Sequence, residues 1–261
     1  MVNSGASVRP ATWVFLRGLA REKGHWGSFT ERFAARFPHD EVLPVDLPGS
    51  GEFHKSTAPG SMSEVFQFVR GQVMERAKHP GTLKLFALSL GGMVAMEWQR
   101  QRSDELAACV LINSSSKSSP IHQRLRWQIW GQFVKLAVGQ TVRERERGII
   151  DLTLNNSDAK AEALPLWTKI GTERPISYLS FLNQLRSAAT FAELAQATPV
   201  PTLLLNSLGD RLVDPSCSSR LHDSMGWPIR RHPWAGHDLT WDDPEWTIRQ
   251  VEDWNISLAS G

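Results

Sequence analysis

The chain has 261 residues, of which 41% are hydrophobic and 21% are charged. This composition allows a sizeable buried core and excludes a largely disordered chain. The 29 Lys and Arg residues nearly balance the 27 Asp and Glu residues, and a net charge of +2 argues against nucleic-acid binding as the main function. The two cysteines, Cys109 and Cys217, form no CxxC motif or Cys/His cluster, so we expect neither a disulfide scaffold nor a structural zinc site.

The sequence contains no candidate for a membrane span or a secretory signal. No apolar run approaches the roughly 18 residues that a transmembrane helix needs. Residues 1–10 are polar and lack the apolar core of a signal peptide. We therefore expect a cytoplasmic protein.

The predicted elements alternate between short apolar strands and helices. Strands are predicted at Thr12–Leu16, Glu41–Val45, Leu83–Leu88, Leu106–Ile112, Pro201–Leu205 and Pro228–Arg231. Helices are predicted at Trp26–Phe37, Ser61–Lys78 with Ser61 as N-cap, Leu90–Gln101 and Pro244–Trp254. This alternation predicts right-handed crossovers and a parallel sheet with helices on both faces.

Residues 118–190 depart from the alternation because they contain no convincing strand and have helical periodicity throughout. We predict a helical cap over 118–190, inserted after the fourth strand, and an α/β core formed by 1–117 and 191–261. Within this cap, the charged run Arg143–Arg147 is predicted to be a solvated helix face.

A candidate nucleophile lies in the run Ala87–Gly92, which follows an apolar strand and opens a helix. A serine in a tight strand-to-helix turn projects its hydroxyl above the sheet, and small residues on both sides of Ser89 let the backbones approach. The helix N-terminus behind Ser89 also offers free N–H groups for an oxyanion. A serine that only caps this helix would be the structural alternative.

Two further residues favour the catalytic interpretation. Asp210 follows the fifth predicted strand, where sheet enzymes place functional groups, and His237 lies in a loop before the last helix. The chain order Ser89, Asp210, His237 is that of one class of catalytic triad. Asp214 is a competing acid, but it precedes Pro215 and resembles a helix cap.

Backbone N–H groups at two positions are candidates for an oxyanion hole. Phe15–Leu19 ends the first strand, so the N–H of Leu19 is expected to face the nucleophile together with that of Leu90. The turn Asp46–Gly51 follows the second strand, and it does not match a dinucleotide-binding fingerprint because no helix begins there.

On these motifs the sequence resembles the α/β-hydrolase superfamily, in its small capped branch of esterase-like enzymes. The resemblance runs from Trp13 to the closing helix and is most specific at Asp46–Gly51, Ser89, Gly209-Asp210 and Gly236-His237. It implies a mostly parallel sheet of about six strands with a helical cap. Because only about ten residues precede the first strand, the N-terminal antiparallel hairpin of the family is expected to be missing.

The chain differs from the family at the oxyanion loop, where Arg17-Gly18 replaces the usual His-Gly. The backbone donor of Leu19 is unaffected, whereas the side chain behind the loop changes. The resemblance implies two-step acyl transfer in which Ser89 attacks, His237 acts as general base and Asp210 orients the imidazole. No cofactor or metal is expected, since the sequence has neither a Gly-Lys-Ser/Thr phosphate loop nor a His-Glu-x-x-His pair.

Aromatic residues of the predicted cap are candidates for an apolar substrate pocket. These residues are Trp127, Trp130, Phe133, Trp167, Tyr178 and Phe181. Arg124 and Arg126 are candidates for a cationic rim, and packing of the cap on the sheet is the alternative role for the whole set. The other histidines, His25 included, are predicted to be surface or loop residues.

The leading hypothesis is a carboxylesterase-like serine hydrolase for small-molecule esters of short to medium acyl chains. A C–C bond hydrolase, a thioesterase or an acyltransferase would use the same triad. Dehalogenase and epoxide-hydrolase chemistry is disfavoured, because those relatives carry Asp where this chain has Ser89. A non-catalytic binding protein of the same fold is an alternative of another class, although such proteins often lose a triad member. The oligomeric state stays open.

Overall fold

The computed structural model of the protein describes residues 10–126, 141–192 and 194–260. Its centre is one sheet of six parallel strands in the order β2-β1-β3-β4-β5-β6. The strands are β1 Thr12–Leu16, β2 Glu41–Val45, β3 Leu83–Leu88, β4 Leu106–Ile112, β5 Thr202–Ser207 and β6 Ile229–His232. The α/β fold predicted from the sequence is confirmed, and the described residues include no antiparallel strand.

The described residues contain ten α-helices. They are α1 Phe29–Arg36, α2 Met62–Arg76, α3 Leu90–Arg102, α4 Ile121–Arg124, α5 Val142–Thr153, α6 Ser157–Glu173, α7 Tyr178–Thr190, α8 Ser216–Met225, α9 Leu239–Asp242 and α10 Pro244–Ser260. Short 3-10 helices lie at Lys23–Trp26, Gly51–Phe53 and Ser103–Glu105. Ser61 caps α2 as predicted, because its side chain accepts a hydrogen bond from the amide of Glu64.

Helices cover both faces of the sheet because consecutive strand residues point to opposite sides. On one face, Val14, Leu85 and Leu111 pack with side chains of α2, α3 and α8. On the other face, Phe15 and Phe86 pack with α1 and α10. These apolar layers explain why the four central strands, β1, β3, β4 and β5, are mostly hydrophobic.

The chain between β4 and β5 is helical wherever it is described, in α4, α5, α6 and α7. A third apolar cluster joins α5 and α6 to α9, with Ile150, Ala163 and Trp167 packed against Trp241. The rings of Trp167 and Trp241 meet edge to face with their centroids 6.0 Å apart.

Across the described residues, no helix has the length and apolarity needed to cross a membrane.

The order of the strands places a crevice at the junction of β1 and β3. The chain runs from β1 outward to β2 and then returns to β3 on the other side of β1, with Leu16 opposite Ala87. In open parallel sheets, ligands bind at such a reversal, beyond the carboxyl ends of the strands. The loop after β1 and the turn after β3 therefore meet where a site is expected.

Candidate active site

Ser89 occupies a sharp turn between β3 and α3. Its backbone has φ 57° and ψ −115°, a conformation that non-glycine residues rarely adopt. The amide of Ser89 donates to the carbonyl of Ile112 at 2.8 Å, and the hydroxyl of Ser114 donates to the carbonyl of Ser89 at 2.9 Å. These bonds to the end of β4 and to the loop that follows it hold the strained turn in place.

Close packing explains the glycine two residues after the serine. A Cβ atom at Gly91 would lie 2.4 Å from the carbonyl oxygen of Leu16, which no side chain can do without moving the backbone. A Cβ at Gly18 would lie 3.2 Å from Cβ of Ser89. The loop after β1 therefore runs directly beside Ser89.

His237 and Asp210 form a buried hydrogen bond. Nδ1 of His237 lies 2.7 Å from Oδ2 of Asp210, and both side chains are at most 5% exposed. Oδ1 of Asp210 accepts the amides of Leu212 at 2.8 Å and Val213 at 3.0 Å. The carboxylate is therefore fixed on both oxygens, and Nε2 of His237 has no hydrogen-bonding partner in the described part of the chain.

The close approach of two loops brings the His237–Asp210 pair together. A Cβ at Gly209 would lie 2.2 Å from the carbonyl oxygen of Trp234, so only glycine allows the loop after β5 to touch the loop after β6. Asp214, the competing acid, instead accepts the amide of Ser216 at 3.0 Å, at the start of α8.

Two polar residues that the sequence reasoning missed support the loop of His237. Asn113 follows β4 with φ 46°, and its Nδ2 donates to the carbonyl of His237 at 2.8 Å. Asp242 accepts the amides of Gly236 at 2.6 Å and Asn156 at 2.8 Å. Burial raises the pKa of the Asp242 carboxyl above its usual value. A polar residue directly after a buried strand was the signal that could have found Asn113.

Arg17 is buried behind the oxyanion loop and paired with the residue next to His237. Its two Nη atoms donate to both carboxylate oxygens of Asp238, at 3.3 and 2.5 Å, and both side chains are at most 3% exposed. The guanidinium lies 4.5 Å from the ring centroid of Trp26. The Arg17-Gly18 departure thus produces an ion pair between the loop after β1 and the loop of His237.

A cavity of about 100 Å³ connects the predicted catalytic groups. Its lining includes Leu19, Ser89, Trp167, Phe181 and His237. The amides of Leu19 and Leu90 have no hydrogen-bond acceptor among the described residues. Leu19, with a free N–H group, therefore lines the same cavity as Ser89 and His237, and Leu90, with the other free N–H group, directly follows Ser89.

A larger cavity of about 530 Å³ adjoins the first and shares Ala20, Arg21, Ile149 and Phe181 with it. Among the predicted pocket residues, Tyr178 and Phe181 line this larger cavity, whereas Trp167 lines the smaller one. The predictions for Trp127, Trp130 and Phe133 lie outside the described residues.

The arginines predicted to form a cationic rim have other contacts. The buried Arg124 donates to the carbonyl oxygens of Ala188 and Ala189, and Arg126 donates to the carbonyl of Asp210 at 3.0 Å. Neither is among the described residues that line the two cavities.

The larger cavity carries a charged cluster that contradicts two predictions. The run Arg143–Arg147 is not wholly solvated, because Glu146 is 5% exposed and pairs with Arg21 at 2.7 Å. His25 is buried rather than at the surface, and its Nε2 lies 2.9 Å from Nη1 of Arg21. Burial, and then the charge of Arg21, lower the pKa of His25 well below 6.5. The described residues include no group of metal-ligating side chains that could hold an ion.

Comparisons with known proteins agree with the α/β fold. The model of the alpha/beta hydrolase family matches residues 13–250 of the chain. A comparison with curated proteins gives no significant match.

Solved structures share the fold at low sequence identity. The enol-lactonase of Burkholderia xenovorans LB400 is 15% identical with a TM-score of 0.75, and the match covers 97% of this chain and 94% of that one. A thermophilic esterase of Thermogutta terrifontis is 18% identical with a TM-score of 0.69, over 96% and 90% of the two chains. A lipase-esterase related protein of Clostridium acetobutylicum is 12% identical with a TM-score of 0.71, over 94% of each chain.

Proposed function

Because the chain belongs to the α/β-hydrolase family, we propose that it is a serine hydrolase that cleaves carboxylic esters of short to medium apolar acyl groups. The observation that carries this proposal is the buried His237–Asp210 hydrogen bond of 2.7 Å, on the same cavity as the strained turn of Ser89. A histidine oriented by a carboxylate next to a serine is the arrangement that activates a hydroxyl nucleophile.

In the proposed reaction, Ser89 attacks the acyl carbonyl while Nε2 of His237 takes the hydroxyl proton. The hydrogen bond from Nδ1 to Asp210 fixes the tautomer that leaves Nε2 as a base, and the carboxylate stabilises the imidazolium that forms. His237 then donates its proton to the leaving alcohol. Water, deprotonated by the same imidazole, releases the acid from the acyl-enzyme.

The N–H groups of Leu19 and Leu90 are the proposed donors to the oxyanion of each tetrahedral intermediate. Neither N–H group has an acceptor among the described residues. Both are therefore free to donate to the negative charge that develops during the reaction. Loss of one such donor typically raises the barrier by about 3 kcal/mol. The Arg17–Asp238 ion pair links the loop of Leu19 to the loop of His237. It therefore fixes the position of the proposed oxyanion hole relative to the proposed general base.

We also propose that residues 118–190 act as a cap that shapes the substrate pocket, on a core formed by 1–117 and 191–261. Helices α5, α6 and α7 support this role, because Ile149, Leu152, Trp167 and Phe181 line the cavity of Ser89. The apolar character of these side chains favours an apolar acyl group.

The decisive experiment measures hydrolysis of a p-nitrophenyl ester series, from acetate to long acyl chains, by wild type and Ser89→Ala. We expect turnover by the wild type and a loss of at least about a thousandfold in kcat for the variant, since the nucleophile is removed. Ser63→Ala, which alters an exposed serine of α2, is the matched control and is expected to retain full activity.

Labelling with a fluorophosphonate separates the possible failures. Labelling of Ser89 without turnover of any ester would leave the nucleophile in place and redirect the proposal to the C–C hydrolase, thioesterase or acyltransferase alternatives, or to a binding protein. Ester turnover that survives Ser89→Ala would refute the assigned nucleophile.

A further inference from the structure

Arg21 lies at the junction of the two cavities and lines both of them. Its side chain is 10% exposed, and its guanidinium lies 4.7 Å from the ring centroid of Trp167. A buried arginine in a substrate-sized space has a strong requirement for anionic or acceptor partners. The hydrogen bonds of Arg21 within the protein meet only part of this requirement.

Nη1 is the only side-chain nitrogen of Arg21 that forms hydrogen bonds to the described residues. Nη1 contacts Oε2 of Glu146 at 2.7 Å and Nε2 of His25 at 2.9 Å. Because the arginine can only donate, Nε2 of His25 is an acceptor and the imidazole is neutral, in agreement with its lowered pKa. Nε and Nη2 of Arg21, which form one edge of the guanidinium, find no acceptor in the described part of the chain.

The charged side chains that line the larger cavity include more arginines than glutamates. Arg174 is neutralised by Glu22, which it contacts with Nε at 2.6 Å and with Nη2 at 2.7 Å. Glu146 must serve both Arg21 and Arg145, and the latter is 3.7 Å away. Three arginines and two glutamates therefore line this cavity, and Glu173, outside the lining, also pairs with Arg174 at 3.5 Å. The positive charge that is incompletely paired lies at Arg21 and Arg145, which share Glu146.

The rest of the larger cavity is mainly apolar. Its walls include Ile149, Ile170, Ile176, Phe181, Leu182 and Leu185. A ligand that fits both features has an apolar body and one negative charge. The free edge of a guanidinium offers two parallel N–H donors, a geometry that matches a planar carboxylate.

We propose that the substrate is an ester that also bears a carboxylate, and that Arg21 binds this carboxylate with Arg145 beside it. This inference rests on the proposed esterase function and refines its substrate class, from an apolar acyl group to an apolar acyl chain that ends in a carboxylate. It differs from the cationic rim predicted from the sequence, because Arg124 and Arg126 donate to backbone carbonyls instead.

The test compares mono(p-nitrophenyl) glutarate with its neutral methyl ester, which has the same reacting carbonyl. We expect wild-type kcat/KM to favour the anionic substrate by about 10- to 100-fold, the range of a hydrogen-bonded charge contact. In Arg21→Met/Glu146→Gln the preference should fall to near one. This double substitution removes one charge of each sign, so neither partner is left buried and unpaired.

The matched control is Arg36→Met/Glu252→Gln, the same two changes in an exposed ion pair. It is expected to keep the wild-type preference. Arg21→Lys retains the charge but loses the two parallel N–H donors of the guanidinium. Its preference for the anionic substrate should therefore lie between those of the wild type and the double variant. This second variant keeps the test decisive if the double variant does not fold.

A binding measurement separates failure of this inference from failure of the esterase proposal. Calorimetric titration of Ser89→Ala with hexanoate and with 1-hexanol needs no turnover, and we expect tighter binding of hexanoate that is lost when Arg21 is replaced. Arg21-dependent hexanoate binding without ester turnover would support the carboxylate site and reject the esterase. Ser89-dependent turnover with equal rates on both glutarates, and no preference for hexanoate, would overturn the carboxylate site.

Discussion

Arg17 and Arg21 lie four residues apart in one loop, and both are buried, but their surroundings differ. Arg17 directs two nitrogens at the two oxygens of Asp238 and covers the ring of Trp26. Arg21 shares one nitrogen between Glu146 and His25 and presents the other edge to a cavity. The first arginine has a carboxylate of its own, although its buried Nε has no hydrogen-bond partner among the described residues, whereas the second shares its carboxylate with Arg145.

The difference shows how one residue type serves two purposes beside the same site. A buried charge with a complete partner fixes the relative position of two loops, because either loop can move only by exposing an unpaired charge. A buried charge with a free edge remains available for a ligand. The partner geometry, rather than burial, distinguishes the two arginines.

Replacing Arg17 is expected to have the largest effect on stability. Arg17→Met leaves the carboxylate of Asp238 buried without its counter-charge, which costs about 3–5 kcal/mol in the free energy of unfolding. Denaturant titration measures this cost. Adding Asp238→Asn should recover most of it, and a cost below about 1 kcal/mol for the single variant would mean that Asp238 is satisfied by Thr240 alone.

The cluster of Arg21 should make stability depend on pH through His25. Because burial and Arg21 lower the pKa of folded His25, the unfolded chain binds the extra proton below about pH 6.5. The stabilisation is therefore present above pH 6.5 and is lost as the pH falls, by up to about 1.4 kcal/mol per pH unit.

His25→Gln is expected to reduce this slope, as measured by denaturant titration between pH 7 and about pH 5. The same substitution at an exposed histidine, His39→Gln, provides the matched control variant. An identical slope in wild type and His25→Gln would contradict the assignment of a neutral His25.

Arg145 is expected to contribute least to stability. Its side chain is 37% exposed and lies 3.7 Å from Glu146, which retains Arg21 as partner. Arg145→Met should therefore change the free energy of unfolding by less than about 1 kcal/mol. A loss above about 2 kcal/mol in denaturant titration would instead show that Arg145 is a structural ion-pair partner of Glu146, as Arg17 is of Asp238.

The sheet could be predicted from the sequence because its four central strands, β1, β3, β4 and β5, are buried on both faces. The strands β1 to β4 have the predicted bounds, while β5 extends to Ser207 and β6 to His232. Parallel strands bring their carboxyl ends to one edge of a sheet. Because Ser89, Asp210 and His237 each follow a predicted strand, they could be expected at that edge.

The charged residues could not be predicted, because their burial depends on partners far away in the chain. Glu146 looks solvated within a run of alternating charges, but its partner Arg21 is 125 residues away. Arg17 and Asp238 are separated by 221 residues. His25 has no local signal for burial, since Trp167 and Arg21 bury it from two directions.

The pairing of β4 with β5 closes a loop of roughly 90 residues. The chain entropy lost on closing such a loop is about 4 kcal/mol, and it grows only with the logarithm of loop length. Halving or doubling the helical segment between these strands would alter that cost by only about 0.6 kcal/mol. Large changes in the walls above Ser89 are therefore compatible with an unchanged sheet, which can carry many different pockets at nearly constant thermodynamic stability.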